Sequence, residues 1–307
     1  MNASSPWNAK TVFLILPLLA LIALSVACPF ISVKASFGIT SWSAFLILQA
    51  IQCACFWSYL NLVRLFTGKT IHGFKDPLGA IDGAGFLLLT VLILVFTAEL
   101  YRLSAGNTAP PLGFALSPRR AVNCLWGMVI GFLLQSTPWL WGLTTGRLKI
   151  EDRVRAHFNL AGVVRVLCVG IFFLTLSSVL EEGASRAFPM RLWEGYPLAI
   201  RILVPSFFFA ALHLADERFN LLQFYMRFLF GVVLSIAYAL TNNIWFAVGL
   251  HTGLNYASMA VSGLWHAAGV VQLSGNLGWL ECAPGIVWTV IGLVGCIVLS
   301  THAHFRF

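Results

Sequence analysis

The chain is predicted to be an all-α, polytopic integral membrane helical bundle of eight or nine transmembrane helices, and three observations carry that prediction. Hydrophobic residues fill 59% of its 307 positions and charged residues only 10%, whereas a soluble globule keeps about a quarter of its positions charged. Mean hydropathy is +0.86. Apolar stretches of about 20 residues recur, matching a bilayer core of about 30 Å, and no long alternating strand pattern competes with them.

In chain order, spans are expected at Thr11 to Val33, Trp42 to Val63, Gly83 to Ala98, Ala121 to Leu143 and Val163 to Ala187, then at Ile202 to Leu214, Leu222 to Leu240, Asn243 to Trp265 and Gly285 to Ser300. Lys10 before the first run resembles the start of a signal peptide. The run is longer than the roughly 7–15 residues of an h-region and ends in no small-x-small cleavage site, so it reads as a retained anchor. Ile202 to Leu214 is short for a full crossing, which leaves the count at eight or nine. No Asp, Glu, Lys or Arg falls between Phe228 and Leu280, and Thr241-Asn242-Asn243 is the turn expected to divide that stretch in two. The longest polar connections, Arg102 to Arg120 and Thr144 to His157, are too short to fold independently.

The net charge of +8 does not indicate nucleic acid, because the basic residues sit in short connections and form no polybasic tract. Arg64, Lys69 and Lys75 in one loop and Arg147, Lys149, Arg153 and Arg155 in another fall on the same side. The positive-inside rule then puts the N-terminus in the cytoplasm. Of seven cysteines only Cys282 lies in an expected loop, and no CxxC pair is present. Neither a disulfide framework nor a zinc knuckle is indicated.

Polar residues inside apolar spans carry the chemical information. Glu181 and Glu182 follow an uncharged run from Val166 to Leu180, where a charge costs roughly 2.5–3.5 kcal/mol even on a lenient insertion scale. Adjacent residues point about 100° apart on a helix, so the two glutamates are not expected to face one partner. Glu182 and Arg186, four apart, share a face in the favourable order and read as a structural ion pair. That leaves Glu181 for chemistry. His213 stands one turn after Phe209, with Asp216 and Glu217 able to hold one ring nitrogen. His251 and Asn255 share a face at i and i+4. A carboxylate and a histidine can take a proton from water, while a second histidine and an amide can stabilise a developing oxyanion. No serine lies in a nucleophile elbow and no histidine in HExxH, so a water-based mechanism is expected. Whether a metal such as zinc holds that water stays open, with Glu181, His213 and His251 as candidate ligands.

Glu181-Glu182-Gly-Ala-Ser-Arg186, Phe209-Ala-Ala-Leu-His213 and His251-Thr-Gly-Leu-Asn255 resemble the EExxxR, FxxxH and HxxxN motifs of the CPBP intramembrane proteases, which include CAAX-prenyl endopeptidases and bacteriocin-processing enzymes. The resemblance covers about Pro110 to Met259, with the Gly127 and Gly131 helix similar to the segment before the family core. It implies that Glu181 and His213 activate water, that His251 and Asn255 form the oxyanion site, and that Glu182, Arg186 and Phe209 support them. The expected division is residues 1–109 as N-terminal transmembrane helices, 110–265 as a CPBP-like catalytic membrane core, and 266–307 as a C-terminal loop and helix. The expected substrate is a peptide or membrane protein, prenylated or not, met at the lipid bilayer, and the expected location is a bacterial plasma membrane. Two other readings stay open: a proton-coupled transporter using Glu181, His213 and His251 as a relay, and a catalytically silent scaffold or immunity protein.

Overall fold

The computed structural model describes residues 9–30, 40–67, 80–106, 110–152, 159–213, 221–261 and 270–275, together with Val287, Val290, Ile291 and Val294. It divides into two compact units, one comprising Met1–Ile71 with Leu78–Pro110 and the other comprising His72–Pro77 with Pro111–Phe307.

The first unit holds helices α1 (Ala9–Ala27), α2 (Ser41–Thr67) and α3 (Ala80–Ala105). Leu21, Phe45, Leu48, Ile93 and Phe96 form its buried interior. Polar side chains there bond to backbone oxygens of neighbouring helices. Ser25 donates to the Leu92 carbonyl at 3.1 Å, and Cys55 to the Pro17 carbonyl at 3.3 Å. At its end, Arg102 spans the Glu99 carboxylate at 2.7 Å and the Cys28 carbonyl at 2.8 Å.

The second unit begins with a stop in the chain rather than a helix. Gly113 takes φ +90°, a left-handed conformation that suits glycine, and Ser117 then caps α4 (Pro118–Thr144) by accepting from the Arg120 N–H. Pro118 at the first helical position loses no bond by lacking an N–H. After α4 come β1 (Leu148–Asp152), α5 (Leu160–Glu182), α6 (Phe188–Leu192), α7 (Leu198–Leu212), α8 (Leu221–Thr241), α9 (Ile244–Asn255) and β2 (Gln272–Gly275). Between α5 and α6 the helix widens into a π turn, Gly183–Ala187, closed by the Phe188 N–H on the Gly183 carbonyl. A second π turn, Tyr256–Val261, follows α9.

Helix α9 packs on α4 through glycines from both sides. A Cβ at Gly127 would meet the Phe246 carbonyl oxygen and one at Gly131 that of Leu250. In return, a Cβ at Gly249 would meet the Cys124 oxygen and one at Gly253 that of Met128. Small residues four apart let two helix backbones touch, the usual means of helix association where lipid tails are as apolar as leucine. On α8, Phe230, Val233, Leu234 and Ala237 close over Ala247, Leu250 and Leu254 of α9 and Phe209 of α7. The turn between α8 and α9 falls at Thr241-Asn242-Asn243, as expected. Asn242 takes φ +51°, tolerable for asparagine, and the Asn243 side chain caps α9 by accepting from the Trp245 N–H at 3.1 Å.

Two expectations are met in part. Among the described residues, four helical stretches are long and apolar enough to cross a membrane, Ser41–Val63, Ala84–Ala105, Leu160–Leu192 and Leu221–Thr241, with Leu14–Phe30 and Leu198–Leu212 shorter. These stretches account for part of the eight or nine crossings expected. Twelve-residue α9 extends only about 18 Å, and Gln135, Ser136, Thr137 and Pro138 interrupt the apolar run of α4. Helices sheathed by other helices need less hydrocarbon-facing surface. The last expected span, Gly285 to Ser300, lies largely outside the described residues. The fold is also not purely helical, because β1 and β2 pair antiparallel with Leu148 opposite Gly275 and Ile150 opposite Leu273. Each strand is too short to show an alternating pattern, and its partner is remote in sequence.

Candidate active site

The motif residues are delivered by three helices of the second unit. Helix α5 ends in Glu181 and Glu182, the π turn adds Arg186, α7 supplies Phe209 and ends at His213, and α9 supplies His251 and Asn255.

Glu182 and Arg186 both have fully buried side chains, with Arg186 Nε 3.3 Å from Glu182 Oε2. The pairing expected from their spacing is present, but as an ion pair and not a hydrogen bond. Glu182 Oε2 and all three guanidinium nitrogens lack a hydrogen-bond partner among the described residues. The guanidinium instead lies over the Phe209 ring, Cζ 4.1 Å from its centroid. Room for it comes from Gly231 on α8, where a Cβ would stand 3.2 Å from Arg186 Nη2.

The two glutamates do face one partner, contrary to expectation. His251 Nδ1 is 2.9 Å from Glu182 Oε1, while its Nε2 is 3.9 Å from Glu181 Oε2. The 100° between adjacent Cβ directions is real, but an imidazole carries its two nitrogens on different edges. Two three-torsion side chains diverging from α5 can therefore reconverge on a ring presented by α9. A carboxylate only accepts, so the 2.9 Å contact fixes a proton on Nδ1 and directs Nε2 toward Glu181. Glu181 is the more open of the pair, 24% exposed, and its Oε1 accepts from the Ser177 hydroxyl at 2.8 Å.

His213 is held by its own helix. Its Nδ1 is 2.8 Å from the Phe209 carbonyl, which fixes the Nδ1–H tautomer and leaves the Nε2 lone pair available. Glu181, His251 and Arg227 stand close enough to act on it electrostatically. The Phe209 ring meets the imidazole of His213 at 4.9 Å and 67° and that of His251 at 5.8 Å and 80°. Phe230 covers His251 from another side at 5.3 Å. Asn255, half-buried, ends α9 one turn beyond His251.

Contacts thus join Glu181, Glu182, Arg186, Phe209, His213 and His251, and Asn255 joins them by its place on α9. Asp216 and Glu217, expected beside His213, lie outside the described residues. Sequence reasoning missed the roles of Ser177, Phe230 and Gly231. Ser177 was open to discovery, being one turn before Glu181, whereas Phe230 and Gly231 look like any apolar helix positions. Among the described residues no three His, Cys, Asp or Glu side chains gather as metal ligands. His251 Nδ1 faces Glu182 and His213 Nδ1 faces a backbone carbonyl, which leaves the Nε2 edge of each ring open, and no step is derived through a metal.

Four apolar stretches long enough to cross a membrane and a carboxylate–imidazole–guanidinium cluster buried between helices mark an integral membrane protein. Residues 163–257, from the first turn of α5 to the π turn after α9, are similar to the family model described as type II CAAX prenyl endopeptidase Rce1-like. All seven motif residues fall inside the match. No curated protein and no solved structure matches the chain.

Proposed function

We propose that the protein is an intramembrane endopeptidase in which Glu181 activates water against a peptide bond. The observation that carries this is the seating of His251 between two glutamates, one buried and paired with Arg186, the other partly open. Glu182 and Arg186 hold the imidazole, and Glu181 is left with one carboxylate oxygen unoccupied by Ser177.

The 3.9 Å between Glu181 Oε2 and His251 Nε2 is too long for a direct hydrogen bond, and such a gap is one that a bridging water fills. Water held at Glu181, with the lone pair on His213 Nε2 as a second acceptor, attacks the carbonyl carbon as its proton passes to Glu181. The new oxyanion is met by the Asn255 amide and by His251 Nε2. For Nε2 to donate while Nδ1 donates to Glu182, the ring enters the step already carrying both protons, with the Glu182 carboxylate as its counter-charge once Glu181 has taken the proton from water. Glu181 then returns the proton to the departing nitrogen as the C–N bond breaks. The substrate is a peptide or membrane protein, and a prenylated C-terminal segment is the form to which the domain's description points.

The test compares membranes holding the native chain or Glu181→Gln by mapping peptide termini. New termini that vanish in the variant are expected. Identical termini from both, at equal amounts of folded protein, would refute the assignment.

A further inference from the structure

We propose that Phe209 is a positioning residue for both imidazoles, acting through the charge distribution of its ring and not through its bulk; this rests on the hydrolase reading above. Its surroundings are those of a core residue, since it is 2% exposed and packs with Phe230, Leu234 and Leu250. A leucine would satisfy that apolar cluster. The ring, however, has polar neighbours on several sides.

Arg186 sets its guanidinium 4.1 Å from the ring centroid, and its nitrogens, all buried, find no hydrogen-bond acceptor among the described residues. An aromatic face carries partial negative charge and attracts a cation most strongly when water is excluded. His213 is attached to Phe209 twice, by the Nδ1 contact to its carbonyl at 2.8 Å and by the tilted ring contact at 4.9 Å. His251 meets the same ring nearly at right angles at 5.8 Å, in the T-shaped geometry that ring quadrupoles favour. One residue of α7 therefore connects the cation that neutralises Glu182, the imidazole that Glu182 orients, and the second imidazole beside Glu181. Rotation of any of these three groups would change its contact with the ring.

The experiment replaces Phe209 in the full chain with 4-fluoro-, 3,5-difluoro- and 3,4,5-trifluorophenylalanine, which drain the ring face of electron density with little change in volume. Cleavage of a peptide from the Glu181-dependent set is followed in lipid vesicles, together with thermal unfolding. The expected result is a stepwise fall in kcat, about tenfold across the series, with KM and folded yield held. A flat kcat series in a chain that cleaves overturns the positioning role alone. A fall in folded yield with kcat per folded molecule unchanged also overturns it, by making Phe209 purely structural. Absence of cleavage by the native chain overturns the hydrolase reading itself, and the positioning role with it.

Discussion

Replacing Arg186 with methionine removes the guanidinium but keeps an unbranched apolar stem in its space. Glu182 is fully buried, and its Oε2 has the Arg186 Nε at 3.3 Å and no hydrogen bond. After the substitution, the described contact left to the carboxylate is the one between Oε1 and His251 Nδ1 at 2.9 Å. Removing one member of a buried ion pair leaves an uncompensated charge and costs about 3–5 kcal/mol. That range includes whatever attraction to the Phe209 face is lost, because the two effects share one guanidinium and do not add. Adding Glu182→Gln removes the stranded charge, so the double variant should regain at least about half of the loss, the non-additivity expected of groups in contact. Thermal unfolding in detergent can be followed by tryptophan fluorescence, with fully buried Trp193 as a reporter near the π turn. An Arg186→Met loss below about 1 kcal/mol, or a double variant no more stable than the single one, would show that the pair does not carry the charge balance ascribed to it.

Other substitutions divide chemistry from packing. Glu181→Gln should leave the unfolding temperature near native while cleavage is lost, since the amide oxygen can still accept from Ser177; a large loss of folded protein would argue against that. Asn255→Asp replaces a donor by a negative charge where an oxyanion forms, and kcat in vesicles should fall about a hundred- to a thousand-fold; undiminished cleavage would remove Asn255 from the site. Gly249→Ala drives a methyl into the Cys124 carbonyl of α4, and overpacking of this kind costs about 1–3 kcal/mol. Gly195→Ala, with nothing within 4 Å of the added carbon, is the matched control in the same unfolding assay and should be neutral.

Much of the site was legible in sequence because charges in hydrocarbon are scarce enough to be noticed singly. Glu182 and Arg186 were paired correctly from spacing alone, and the Asn242 turn from its polar residues. The joint approach of Glu181 and Glu182 to His251 was not legible, since it depends on where α9 lies relative to α5, a tertiary placement with no local signal. Gly127 and Gly131 were visible as a spacing, but of the glycines that face them Gly249 lies two residues before the His251 motif and Gly253 inside it, where the polar residues drew the reading. Hydropathy measures apolar length and cannot tell a lipid-facing helix from one wrapped by others, as α9 is, so it finds helices more surely than crossings. Strands β1 and β2 escaped because strand pairing over such a sequence distance leaves no local signal.

The π turn at Gly183–Ala187 has a consequence for how this chain can vary. A helix whose bonds step back five residues in place of four holds one residue more than a regular helix would need. Removing one of the five would let the ordinary ladder close over the gap, because four α-helical residues turn the chain about as far as five π-helical ones. Phe188, Met190 and Trp193, which have no exposed surface, would then keep their neighbours. The loss would fall on the turn itself, where Arg186 would change its setting against the Phe209 face. Across related chains, a one-residue gap between Glu182 and Phe188 would therefore mark the loss of the guanidinium's seat and not the loss of the fold.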